Sequence, residues 1–355
     1  MTDNTVTMLR ASVARLLAET VTPARTMEAE KPGIDSALWE RFEDLGILGA
    51  ELGVGLDAKL AVLQETGRAA ALVPYAESEI LGRWLEDAAK LPVEAGRLAV
   101  LTDEVVGRPA PDGTILELRG RIVPWGRHAN SILALCRLPS GYHVARLAPD
   151  SLHLRHDANM AREPRDIVMA EQCILPAGAL YPLPSGITGA DLRGLGALCR
   201  TSAMLGAMDA ATELALRYAQ DRKQFGKPIS AFQTIQSYLA EMAAEVCASA
   251  VAYDLALSGA MAGSWGDTAI AKIRAGQAAR VVTRLAHQVH GAIGMTQEYP
   301  LHVWTRRLWS WREECGTDSQ WARVAGRAVI SAGDAGFWPM MTSETLTLGE
   351  MEKEI

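Results

Sequence analysis

Apolar residues in the first 95 positions recur at three- and four-residue steps. Leu9, Val13, Leu16 and Leu17 share one helical face, and Trp39, Phe42, Leu45 and Leu48 repeat the spacing. Helix-favouring stretches continue over 56–70 and 76–90, and Pro92 closes the region. From 96 the texture changes to short β-prone runs: Leu98–Leu101, Thr114–Leu118, Ser131–Leu135, His143–Leu147 and Ile167–Met169. Pro111-Asp112-Gly113 and Pro139-Ser140-Gly141 are turn sequences that fit hairpins. This pattern predicts a compact antiparallel β-module, a small barrel or sandwich. Beyond about 188 the helical period returns in longer segments. A helix over about 201–222 is followed by Pro228, then by Ser230 and Gln233 at capping-box spacing. Phe232, Ile235, Leu239, Met242, Val246, Tyr253 and Leu257 mark one face of a helix about 25 residues long. Asp267 is placed to cap another helix, with Ile270, Ile273, Val281, Leu285 and Val289 as its buried stripe. Long helices with such broad apolar faces predict a bundle that continues into a subunit interface.

Bulk properties narrow the class. The chain has 355 residues, enough for several modules with a substantial core. A formal charge of −7 argues against an electrostatic grip on nucleic acid or anionic lipid. No run approaches the roughly 18 apolar residues of a membrane span. The start, MTDNTVTMLRASVARLL, lacks the basic and apolar regions of a secretory signal. The cysteines at 136, 173, 199, 247 and 315 show no CxxC spacing, so the expectation is free thiols in a reducing cytoplasm, without a disulfide framework or metal site.

Three segments carry candidate chemistry. In Asp221–Phe232, DRKQFGKPISAF, a helix ends on Arg222 and Lys223 and the chain turns at Gly226. Taken alone, basic residues in a last turn simply complement the helix dipole. In Gln288-Val289-His290-Gly291-Ala292-Ile293-Gly294 a helix runs into a glycine-containing turn, followed by Glu298-Tyr-Pro-Leu301. The glycines suit a helix C-terminus or the close approach of a ligand, and His290 in such a turn reads as a packed or capping histidine rather than a base. In Arg312-Glu-Glu-Cys-Gly-Thr-Asp318, Thr317 or Asp318 can cap the next helix, whose backbone N–H groups could receive a polar ligand. Two adjacent glutamates are, on their own, a solvated pair.

In order and spacing these three segments resemble the C-terminal domain of the acyl-CoA dehydrogenases. The family pattern is an RxxFG clasp, a phenylalanine–glutamine pair, a Q…GG-G turn followed by E-Y-P, and an EGT-like turn. Here the matching residues are Arg222 and Phe225, Phe232 and Gln233, Gln288 with Val289, His290, Gly291 and Ala292, and Gly316-Thr317. Ala292 replaces a usual glycine. The resemblance implies an α+β fold: an N-terminal helical domain (1–95), a central antiparallel β-domain (96–187) and a C-terminal four-helix bundle (188–355). It also implies FAD bound between subunits, with these residues reaching the adenosine diphosphate part of a neighbour's FAD. Arg222 then pairs with a pyrophosphate oxygen, Phe225 and Phe232 offer apolar surface, and Gln233 and Gln288 offer amides.

The departures matter as much. The family's reaction is α,β-dehydrogenation of an acyl-CoA thioester, with a carboxylate removing the α-proton while a hydride passes to FAD. The usual base immediately precedes Gly-Thr, where this chain has Cys315. The other known base position, about thirty residues before the clasp glycine, falls at Gly196-Ala197. Glu314 and Glu313 are the candidates for a relocated base, although a one-residue slip swings a side chain by about 100°. Cys315 reads as a small packed residue, a thiol being poorly matched to α-deprotonation. In the central domain the flavin-ring loop is reduced to Leu101-Thr-Asp-Glu104, and Ile122-Val-Pro-Trp-Gly126 places Trp125 where a hydroxyl donor is expected. The resulting expectation is the non-catalytic subunit of an α2β2 heteromer that completes the FAD site of a homologous catalytic subunit. Its substrate is an acyl-CoA, such as one with a steroid-derived side chain. Its electron acceptor is an electron-transfer flavoprotein or similar protein. The alternatives are a self-sufficient homomeric enzyme using Glu314 or Glu313, and a flavin-free scaffold or acyl-CoA-binding module.

Overall fold

The computed structural model describes residues 3–49, 53–111 and 113–342. Helices come first: α1 (Asp3–Thr20), α2 (Pro23–Ala29), α3 (Ser36–Asp44) and α4 (Leu56–Arg68). A π-helical segment, Ala76–Gly82, then runs into α5 (Arg83–Ala88). In α3 the local rules are plain: Asp35 caps the helix by accepting the Leu38 N–H at 3.0 Å, and Leu38, Trp39 and Phe42 form the buried face.

Ten short strands follow: β1 (Leu98–Val100), β2 (Val105–Ala110), β3 (Gly113–Glu117), β4 (Ile122–Pro124), β5 (Ser131–Leu138), β6 (Gly141–Leu147), β7 (Leu154–Arg155), β8 (Arg165–Val168), β9 (Gln172–Leu175) and β10 (Leu180–Pro182). The larger sheet has the order β10-β6-β5-β2-β3-β9 with β1 also on β5, and a smaller one has the order β4-β8-β7. Both expected hairpins form, Leu138 pairing with Gly141 and Ala110 with Gly113; Asp112 itself lies outside the described residues. The antiparallel expectation needs correction. β1 and β2 both run parallel to β5, paired at Leu98↔Ser131 and Val105↔Cys136, so the sheet is mixed. Apolar runs this short carry no mark of strand direction, which long-range pairing decides. Leu116, Leu118, Val123, Ile132, Cys136, Leu147 and Val168 pack as the core of this module.

Helical structure resumes with α6 (Gly189–Asp221), which begins a dozen residues before the position its periodicity suggests. After β11 (Lys223–Gln224) and β12 (Lys227–Pro228) come α7 (Gln233–Met261), α8 (Gly266–His290), α9 (Leu301–Glu313) and α10 (Asp318–Thr342), the last kinked at Gly333. Two expected caps are absent. Ser230 lies in a 3₁₀ turn, its carbonyl accepting from Gln236 Nε2 at 3.0 Å, and α7 begins after Phe232 without a side-chain cap. Asp267 falls inside the first turn of α8, which begins at Gly266. The stripe foreseen on α8 is met in part. Leu285 and Val289 are buried and Ile273 and Val281 half-buried, whereas Ile270 is exposed; Ala269, Ala275 and Ala279, small side chains that let neighbouring helices approach, share the buried face with Val282.

Packing gathers the chain into two units, each assembled from separate segments. One draws on 1–28, 56–71 and 197–355, the other on 29–55 and 72–196. In the first, Arg10 pairs with Glu65 at 2.7 Å between α1 and α4, and Ser202 on α6 donates to the Leu60 carbonyl at 2.8 Å. Helices α7, α9 and α10 pack around α8. In the second, Ala29, Ile34, Leu72 and Trp125 form a small cluster beside the β-module core. All five cysteines are free thiols. No helix among the described residues is long and apolar enough to cross a membrane.

Candidate functional site

The clasp segment is a β-hairpin standing on the end of α6. The Arg222 N–H donates to the Tyr218 carbonyl at 2.9 Å, and the Arg222 carbonyl accepts the Ile229 N–H at 2.8 Å. Gln224 pairs with Lys227, so Phe225-Gly226 is a two-residue turn with φ of +51° and +79°. Positive φ at both central residues is the signature of a type I′ turn, which ordinarily takes Asn-Gly. A phenylalanine there costs about 1–2 kcal/mol of backbone strain. Its ring is 91% exposed, in edge contact with Phe232 at 6.2 Å, and the Lys227 ammonium lies 4.5 Å from the Phe232 ring centre. A strained backbone that presents a large apolar ring to solvent marks a contact surface.

Arg222 and Gln233 are exposed on this hairpin and the start of α7. Gln288 is exposed on the last turn of α8, followed by exposed Gly291 and Ala292 in the 3₁₀ turn Gly291–Met295. Two members of the predicted set face inward: Val289 is 4% exposed and His290 3%. His290 packs against both Tyr218 and Tyr299, ring centres 4.6 and 4.7 Å away, and its Nδ1 contacts the Ala286 carbonyl at 2.7 Å. Burial lowers its pKa from the ordinary histidine value.

The Gly316-Thr317 turn sits elsewhere. It adjoins Lys272, whereas the clasp adjoins His290; along α8 those two residues are ~27 Å apart at the usual helical rise. Cys315 has a φ of +55°, and its carbonyl accepts the Trp321 indole N–H at 2.9 Å. Gly316 is obligatory, because a Cβ there would stand 2.6 Å from the Trp321 nitrogen. Thr317 is the cap foreseen for α10. Its hydroxyl accepts the Gln320 N–H at 3.1 Å while the Gln320 side chain accepts the Thr317 N–H at 2.8 Å, a reciprocal capping box. Asp318 is held by Arg312 at 3.2 Å and Arg280 at 3.3 Å.

Neither relocated-base candidate is a lone carboxylate. Glu314 pairs with buried Arg200 of α6 at 2.7 Å, and exposed Glu313 lies 3.4 Å from Arg312. Beside them the fully buried Lys272 donates to the Trp311 and Arg312 carbonyls at 3.1 and 2.8 Å, closing the C-terminus of α9. Burial depresses the Lys272 pKa to about 8, with Cys315 and Glu314 nearby pulling it upward. Arg200 and Lys272 escaped the sequence reading. Their one signal was a basic residue inside a mostly small and apolar helical run, Arg200 in LGALCRTSAML and Lys272, with Arg274 two places on, in TAIAKIRAGQAA.

The central-module residues that the resemblance sets against a flavin ring are packed or paired within this chain. Trp125, at φ +61° and 3% exposed, packs with Ala29, Ile34 and Leu72, and its N–H donates to the Pro164 carbonyl at 3.1 Å. The next turn is pinned by buried Asp166, which accepts the Arg127 N–H at 2.6 Å and Nε at 2.8 Å. In the Leu101–Glu104 link between β1 and β2, Glu104 binds Arg137 at 2.7 Å and the Tyr142 hydroxyl at 3.0 Å.

Residues 194–330 match the family described as acyl-CoA dehydrogenase, C-terminal domain. The chain is 27% identical to the acyl-CoA dehydrogenase IpdE2 of Mycobacterium tuberculosis over 330 residues, 84% of this chain and 89% of that protein. It is 33% identical to 3-sulfinopropanoyl-CoA desulfinase of Paraburkholderia xenovorans over 180 residues, which is 49% of this chain and less than half, 42%, of that relative. Among solved structures, a chain of the ChsE4-ChsE5 complex from Mycobacterium tuberculosis superposes with a TM-score of 0.85 at 23% identity, covering 93% of this chain and 98% of that one. The Tcur3481-Tcur3483 steroid ACAD gives a TM-score of 0.83 at 23% identity, over 94% and 99% of the two chains. These superpositions establish the fold.

Proposed function

We propose that the chain is a member of the acyl-CoA dehydrogenase family, whose C-terminal-domain model matches residues 194–330, and that it is the non-catalytic subunit of a heteromeric FAD-dependent acyl-CoA dehydrogenase. In this reading it completes the FAD site of a homologous catalytic subunit, two copies of each forming the assembly. The observation that carries the reading is the Arg200–Glu314 ion pair at 2.7 Å. A general base for α-deprotonation must offer a carboxylate lone pair to substrate. Here Cys315 stands at the usual place, and the nearest carboxylate is bound to a buried guanidinium.

The residues fit one half of the cofactor. The solvent-facing Phe225 ring on strained backbone, with Arg222, Phe232, Gln233, Gln288 and the exposed Gly291–Ala292 backbone, suits an adenosine diphosphate: a cation for the pyrophosphate, apolar surface for the adenine, amides for the hydroxyls. The residues at the ring half do not fit. Trp125 is committed to this chain's own core, and Glu104 to Arg137 and Tyr142. Residues 96–187 are thus a central module whose flavin-ring contacts have been given over to packing. FAD, when bound, accepts the hydride from the β-carbon; this chain's part is to bind and orient its adenosine end, while the base and ring contacts come from the partner. The substrate is an acyl-CoA, with a steroid-derived acyl group suggested by the steroid ACAD among the structural neighbours. Electrons leave through an electron-transfer flavoprotein or similar acceptor, in the cytoplasm.

The test is the visible spectrum of the purified chain, alone and co-expressed with a homologous subunit carrying a glutamate before Gly-Thr. The expected result is a colourless chain alone and a yellow, active complex. A yellow, active homo-oligomer of this chain would overturn the reading.

A further inference from the structure

The two exposed stretches of the clasp, the Arg222–Ile229 hairpin and the Gly291–Met295 turn, end different helices and are 62 or more residues apart in sequence. Something must hold them in register. The cluster of aromatic rings beneath them does so. Tyr218 belongs to the last turn of α6, and its carbonyl receives the Arg222 N–H, so its position fixes where the hairpin begins. His290 is the last residue of α8, and the 3₁₀ turn starts at its carboxyl side. Tyr299 leads into α9 and touches both other rings, its centre 5.7 Å from that of Tyr218. The turn packs against the root of the His290 side chain: a Cβ at Gly294 would stand 2.7 Å from the His290 Cβ and 3.5 Å from its ring carbon Cγ, so Gly294 must be glycine for the turn to lie there.

We propose that His290 is a positioning residue, one ring of a Tyr218–His290–Tyr299 cluster in mutual contact that sets the Arg222 hairpin and the Gly291–Met295 turn at a fixed spacing for one ligand. It is not itself a contact of that ligand. Burial excludes it from the surface that carries Arg222, Gln288 and Ala292. Its Nδ1 is engaged by the Ala286 carbonyl and its Nε2 has no hydrogen-bond partner among the described residues, as expected of a neutral ring used for its faces. The identity of that ligand as the adenosine half of FAD rests on the function proposed above; the coupling between the two stretches does not.

The test separates those two claims. Amide hydrogen exchange is followed in the isolated chain for wild type, His290→Ala, His290→Phe and Tyr299→Leu. His290→Ala and Tyr299→Leu are expected to speed exchange at the Arg222–Ile229 hairpin tenfold or more, while the middle of α7 and α10 keep their wild-type rates. His290→Phe, which retains a ring, is expected to restore hairpin protection. Unchanged hairpin exchange in both ring-removing variants, or a uniform rise through every helix, would overturn the proposal. In the co-expressed complex, His290→Ala is expected to weaken FAD retention at least tenfold and His290→Phe to leave it near wild type. A wild-type complex that binds no FAD would sink the functional reading alone, since the exchange result stands without it. If His290→Ala does not fold, Tyr299→Leu against His290→Phe carries the same comparison.

Discussion

Glu314 and Arg200 show how a single residue changes the meaning of a family position. A carboxylate one place before Cys315 invites the idea of a shifted base, but the guanidinium at 2.7 Å converts it into a structural tie between α6 and the turn before α10. Both partners are largely buried, so removing one strands the other. Arg200→Met is expected to cost about 3 kcal/mol in urea denaturation. Glu314→Gln in the co-expressed complex is expected to leave flavin turnover intact; loss of turnover with flavin still bound would instead make Glu314 the base. The candidates Glu313, Glu314 and Cys315 were legible because they sit beside Gly316-Thr317 in the sequence. The pairing of Glu314 was not, because Arg200 is more than a hundred positions away and only packing brings it near. The same holds for Lys272, whose charge is compensated by two carbonyls from another helix.

Elements were legible where periodicity was long, and less so where capping chemistry had rivals. Helices α6 to α8 were anticipated as segments, yet Ser230 and Asp267 failed as caps. Pro228 and the 3₁₀ turn at Ile229–Ala231 deliver the chain to α7 with Phe232 at the cap position, two residues past Ser230. Thr317 succeeded because Gln320 answers it, and Thr317→Ala is expected to destabilise the chain by about 1 kcal/mol in the same denaturation assay. The hairpin at Phe225 sets stability against function. Phe225→Asn gives the type I′ turn a residue tolerant of positive φ and should stabilise the isolated chain by about 1 kcal/mol. In the complex the same substitution should reduce FAD retention, because the exposed ring is lost. A variant that is no more stable than wild type would mean that the positive φ carries no strain.

At the scale of the whole molecule, texture along the chain separated helical, β and helical stretches. It could not report that residues 56–71 pack with the segment from 197 onward, or that 29–55 pack with the β-module. Those pairings place ionisable side chains in the interior of both units, and the consequence is a stability that depends on pH with a definite sign. Burial is the leading cause that lowers the pKa of His128 in one unit and of His287 and His290 in the other. Around His290 the facing groups are the Tyr218 and Tyr299 rings and His287, with no carboxylate among its ring neighbours to favour the charged form. A histidine whose folded pKa lies below the unfolded value of about 6.5 takes up its proton in the unfolded chain first. Its contribution to stability is therefore complete above pH 6.5 and is lost as the pH falls through 6.5 towards the folded pKa. Each such group contributes a slope of at most about 1.4 kcal/mol per pH unit. The free energy of unfolding should accordingly drop between pH 7 and 5.5, and His290→Phe should flatten that slope by up to one histidine's share. A slope unchanged in His290→Phe would show that the ring titrates as freely in the folded chain as in the unfolded one. It would then be open to solvent, which its burial against Tyr218 and Tyr299 does not allow.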